Sequence, residues 1–138
     1  MPTIHTTLPA QLKVPVSMGE FYDKLSILQL KQRMIHEADK RQQVELELNS
    51  LLAIMPNFPN IQVSLQELLD QLDKVNEAIW LVEDAIRVCE RQQEFDAHFI
   101  ALARAVYTNN DQRARIKNHI NQLTGSTFTE VKSHQEAT

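Results

Sequence analysis

Residues 65–90 read LeuGlnGluLeuLeuAspGlnLeuAspLysValAsnGluAlaIleTrpLeuValGluAspAlaIleArgValCysGlu, and their spacing decides the fold class. Leu65, Leu68, Leu72, Val75, Ile79, Val82, Ile86 and Cys89 recur at intervals of three and four. That is the seam of a helix packed lengthwise on another helix. A second row, Leu69, Asn76, Trp80, Glu83, Arg87 and Glu90, has the same period but is rotated to one flank of the seam. It sets an amide, an indole and alternating charges beside the core. The first stripe predicts architecture, and the second is where chemistry would be found.

The rest of the chain extends the helical reading. Ser17-Met18-Gly19-Glu20 has the form of a capping box, which starts a helix near Met18. Its apolar residues, Phe21 to Ile35, cover most of the circumference, so this helix should sit among several neighbours. After a break at 37–39, with Asp39 as cap, a second helix runs to about Ile54 with a narrower stripe, Val44, Leu48, Leu51 and Leu52, and should lie outside. Met55-Pro-Asn-Phe-Pro-Asn60 is a turn by composition, and Ser64-Leu-Gln-Glu67 is a second capping box for the organising helix. A last helix is expected from about Asp96 to Leu123, stopped by Gly125. Thr108-Asn-Asn-Asp111 leaves open a break into two helices. The expectation is an all-α antiparallel bundle of about four helices in a single domain spanning 1–138, with extended arms at 1–16 and 126–138.

Composition narrows the function classes. A net charge of −4 argues against a nucleic-acid or anionic-membrane binder, whose affinity comes from a basic face. No apolar run reaches the roughly 18 residues of a membrane span. The N-terminus lacks the pattern of a secretion signal, and a single cysteine forms no internal disulfide, so a cytoplasmic home is expected. No cofactor is expected. Neither is a metal site, since His5, His36, His98, His119 and His134 contain no pair at helical ligand spacing. Cys89 on the seam reads as buried rather than nucleophilic.

The candidate site comes from two polar rows. The last helix carries Asn110, Arg113, Lys117 and Asn121 along its own seam, and antiparallel packing would set Glu83 near Arg113 or Lys117. Buried charges must pair, reach water or meet a ligand. Asn76, Trp80, Arg87, Asn110, Arg113 and Lys117, with Lys24 from the first helix, are therefore candidate ligand-binding residues for a small anion. Glu83 is the candidate catalytic acid or base. Three functions follow: a binding or accessory module using this cleft, an enzyme on a small anionic substrate, or a homodimeric scaffold whose ion pairs fix register. In all three the chain is expected to self-associate.

Val14-Pro-Val-Ser-Met-Gly-Glu-Phe-Tyr-Asp-Lys-Leu-Ser-Ile-Leu28, Asn76-Glu-Ala-Ile-Trp-Leu-Val-Glu-Asp-Ala-Ile-Arg87, Asn110-Asp-Gln-Arg-Ala-Arg-Ile-Lys-Asn-His-Ile-Asn121 and Glu130-Val-Lys132 resemble a bacterial domain family of unknown function. The likeness covers most of the chain from Val14 to Lys132. It implies no activity and carries over no catalytic residue. What it implies is a small bacterial protein in the setting of cell-surface polysaccharide pathways.

Overall fold

A computed structural model describes residues 10–131, 134 and 135. The parts of the two expected arms at 1–9, 132–133 and 136–138, with His5 and Lys132, lie outside the described residues. Within them the chain forms α1 (Met18–Met34), α2 (Ala38–Leu52), a 3-10 turn (Pro59–Ile61), α3 (Gln62–Gln92) and α4 (Ala97–Thr124). Among the described residues there is no strand, and no helix is long and apolar enough to cross a membrane. The all-α expectation holds.

The long helices α3 and α4, of 31 and 28 residues, form an antiparallel hairpin. At 1.5 Å per residue they reach roughly 46 and 42 Å, whereas the 17 residues of α1 span only about 25 Å. α1 lies along one flank of the hairpin and touches each of the other helices, while α2 packs chiefly on α1. The broad apolar surface read in the first helix is thereby used, and the narrow stripe of the second buries only Val44 and Leu48. Leu72 and Ile120, both wholly buried, centre a core that also takes Tyr22, Leu25, Leu28, Leu65, Val75 and Ile116. α4 is one helix through Thr108–Asp111. Instead of capping a new helix, Thr108 donates back to the Arg104 and Ala105 carbonyls and Asn109 to that of Ala105.

Helix ends correct several expectations. Ser17 caps α1 by accepting from the Glu20 amide at 3.0 Å, but the Glu20 side chain turns away to Lys117. Half of the capping box forms, because a buried ammonium is a stronger partner for a carboxylate than an amide. The second box does not form: Ser64 and Glu67 lie inside α3, exposed, since Pro59 starts a 3-10 turn that feeds directly into the helix at Gln62. Glu37, not Asp39, occupies the N-cap of α2, and Asp39 sits in its first turn, where a carboxylate favours the helix dipole. Gln93 ends α3 at φ 56°, with the Glu94 amide donating to the Cys89 carbonyl and the Gln93 amide to that of Glu90. Gly125 ends α4 in the same left-handed way.

Candidate functional site

The interior polar groups gather where α1 crosses the hairpin. Asp23, only 1% exposed, is gripped by the Arg113 guanidinium, with Nε donating to Oδ1 at 2.9 Å and Nη2 to Oδ2. Asn76 Nδ2 donates to the same Oδ1 at 3.1 Å and to Ser26 Oγ, whose hydroxyl donates to Asp73. One turn along α4, Lys117 Nζ donates to Glu20 at 2.7 Å and Glu130 at 2.6 Å and lies 3.8 Å from Asp23. Among the described residues no buried side-chain polar atom lacks a partner. Such a cluster is stable because each desolvated charge meets an opposite charge or a donor.

The same crossing finishes the N-terminus of α1. Helix amides without intrahelical partners need acceptors. The Met18 amide donates to Ser126 Oγ, the Gly19 amide to Asn121 Oδ1 at 2.6 Å, and the Glu20 amide to Ser17 Oγ. Gly19 permits this approach, since a Cβ there would collide with the Lys117 carbonyl. The arm after Gly125 is held in place by Asn118, which donates to the Glu130 carbonyl and accepts from the Glu130 amide at 2.7 Å.

The electrostatics follow from these contacts. The bond to Asp23 holds the Arg113 pKa above its ordinary value against the opposing effect of burial. Burial alone would lower the Lys117 pKa. Its bonds to Glu130 and Glu20 and the nearby Asp23 outweigh that, so the ammonium is held above the ordinary lysine value. Burial also raises Tyr22.

The polar rows read from the sequence therefore divide between two places. Arg113, Lys117 and Asn76 turn to the acidic residues of α1, and Lys117 pairs with Glu20 and Glu130 instead of Glu83. Glu83 accepts from Arg87, one turn away, at 2.7 Å. Yet Glu83 and Arg113 line one cavity of about 380 Å³, between the second half of α1 and the middle of α3. Ile27, Leu30, Ile79 and Trp80 form its apolar wall. Asn76, Lys31, Arg87 and Arg113 bring donors to it, and Glu83 and Asp84 bring carboxylates. Asn110 is exposed and accepts from Arg113 Nη1 at 3.4 Å. Lys24 lies apart from the cavity, paired with Glu47 of α2 at 2.8 Å on the exposed surface. Cys89 is buried, and Trp80 is half-buried. Among the described residues no three His, Cys, Asp or Glu side chains are grouped to hold a metal ion.

Sequence reasoning missed Asp23 as the centre of the cluster and Glu130 as a partner of Lys117. Asp23 sits among residues covering nearly the whole of a helix that three others surround, which was the available signal. Glu130 follows the helix stop at Gly125, in a stretch without periodicity, and no local pattern places it.

Fold and site together define a small all-α module, a long helical hairpin carrying a shorter helix on a polar interior, with a cavity at its edge. The chain belongs to a family of unknown function, DUF6165, whose model matches residues 12–137. Within that span the segments 14–28, 76–87 and 110–121 and the residue Glu130 meet at the polar cluster, supplying Glu20 and Asp23, Asn76, Arg113, Lys117 and Asn121, and Glu130. No curated protein and no solved structure matches the chain.

Proposed function

We propose that the protein is a binding module whose cavity beside Trp80 takes a small amphiphilic anion. The observation that carries this reading is Lys31. It lines an apolar-walled cavity and makes no ion pair with any described residue, while nearby Arg87 and Arg113 are already oriented by Glu83 and Asp23. An apolar wall with a few converging polar groups is the usual make-up of a small-molecule site. The ligand's apolar or ring face would lie on Trp80, Ile79 and Leu30. Its anionic group would meet the Lys31 ammonium and the open edges of the two guanidinia. On this reading Glu83 serves to position Arg87. The setting suggested by the family resemblance, bacterial and near cell-surface polysaccharide pathways, makes nucleotide sugars and sugar phosphates the first ligands to try.

Trp80 is the sole tryptophan, so the protein reports on its own cavity. Titration with UDP-glucose, glucose 1-phosphate and an aromatic carboxylate should shift Trp80 emission saturably for at least one class and raise the melting temperature. Lys31→Ala should weaken that binding about tenfold or more without lowering the melting temperature of the free protein. Absence of any saturable shift, or equal binding by Lys31→Ala and Arg87→Ala, would refute the proposal.

A further inference from the structure

The cavity beside Trp80 is built from helix interiors alone. Its lining residues come from the last two turns of α1, the middle of α3 and, with Arg113, the middle of α4. None lies in the first turn of a helix, so their backbone amides are spent on intrahelical bonds. The chain's two glycines are elsewhere, Gly19 at the start of α1 and Gly125 at the end of α4. Phosphate sites are commonly built on helix N-termini or glycine-rich turns, whose amides cradle several oxygens at once. Here every donor offered to a ligand is a side chain.

The charges on the wall are also nearly balanced. Arg113 spends Nε and Nη2 on Asp23, and Arg87 Nη1 meets Glu83 at 2.7 Å. Lys31, half-buried, is the lining cation without a carboxylate partner among the described residues. It stands in the last turn of α1, where the carbonyl end of the helix offsets part of its charge. Asp84 lines the cavity from its exposed side and sets a negative charge at the mouth. At about 380 Å³ the space is near the lower end of the roughly 300–1,000 Å³ usual for small-molecule sites, room for a ring and one headgroup.

Resting on the reading of this cavity as a binding site, we infer that it selects ring-bearing anions of a single charge, carboxylates above all, over dianionic phosphate monoesters. One negative charge completes the balance that Lys31 leaves open. A second has no cation to meet and faces Glu83 and Asp84, while the cost of taking an ion out of water rises with the square of its charge. A carboxylate is also planar, so its two oxygens fit the open guanidinium edges of Arg87 or Arg113. Among sugar ligands this favours a sugar acid over a sugar phosphate.

Three phenyl probes of similar size test it at pH 8: phenylacetate and phenyl sulfate, each with one charge, and phenyl phosphate, which carries close to two because its second pKa is about 6. Phenyl sulfate and phenyl phosphate share a tetrahedral headgroup, so the pair isolates charge from shape. Titrations followed by Trp80 emission and by calorimetry should show both monoanions saturating and phenyl phosphate binding at least about fivefold more weakly. Glu83→Gln keeps an oxygen for Arg87 but removes a negative charge. Because an exposed pair of this kind adds little to stability, the variant should melt as the wild type does while bringing phenyl phosphate to within about twofold of phenyl sulfate. Phenyl phosphate binding the wild type as tightly as phenyl sulfate, or a ratio that Glu83→Gln leaves unmoved, would overturn the selectivity and leave the cavity a binding site. Binding of UDP-glucose with none of the three phenyl probes would do the same. If no probe of either set binds, both readings fall.

Discussion

The two ends of the α3–α4 hairpin invert the usual distribution of polarity. At the end carrying α1, the buried groups include Asp23, Asn76, Lys117 and Asn121; at the far end, Leu81, Phe95, Ile100 and Tyr107 are about half exposed or more. Both ends come from the same heptad-like sequence on the same two helices. What differs is the third helix. Where α1 is present, it supplies carboxylates and backbone amides that make buried polar side chains profitable to keep. Where it is absent, the seam between two helices can bury only a stripe, and apolar residues on the flanks stay in water. Burial in this molecule is thus set by how many helices surround a position and only secondarily by residue type.

The sharpest way to break this contrast is to remove Arg113. Arg113→Ala leaves the Asp23 carboxylate buried with only Asn76 and the more distant Lys117, and should cost about 3–5 kcal/mol by urea denaturation. An Asp23→Leu, Arg113→Met double variant should recover most of that loss, because no lone charge remains. If the single variant costs less than about 1 kcal/mol, the cluster is not what holds α1 to the hairpin.

A smaller effect should appear in alkali. The folded pKa of Lys117 lies above its unfolded value, so its contribution to stability is fully present below the unfolded pKa and disappears as pH rises through the folded one. Tyr22, also raised, acts in the same direction. Melting temperature should therefore fall as pH climbs beyond the ordinary lysine value. Tyr22→Phe should retain part of that fall if Lys117 contributes, and a flat profile in that variant would remove Lys117 from the account.

The smallest effect belongs to the far end. Ile100→Gln replaces an exposed apolar group and should change stability by no more than about 0.5 kcal/mol. A larger loss would mean that the exposed surface around Ile100 is covered in solution, and that the contrast between the two ends is weaker than the chain alone shows.

These differences also mark how far the amino-acid order could be read. Helix count, the Gly125 stop, the surrounded character of α1, the outlying position of α2 and the burial of Cys89 were all legible, because each follows from periodicity or from a residue with a single strong backbone preference. The left-handed Gln93 was not, since glutamine carries no signal for that conformation. Nor was the absence of a cap at Ser64, where a proline three residues before the helix start had already committed the chain. The rows containing Asn76, Glu83, Arg113 and Lys117 were visible as rows, but their partners were not.

Sequence by itself determined that polar side chains would interrupt the seams of an all-helical protein. It did so because side-chain spacing along a helix is local and regular. Only the tertiary structure decided that Asp23 receives Arg113, that Lys117 turns to Glu20 and Glu130, and that Glu83 keeps to Arg87 beside an open cavity. Those choices depend on which helix crosses at which level, and a pairing such as Asp23 with Arg113 joins residues 90 positions apart that no local rule connects.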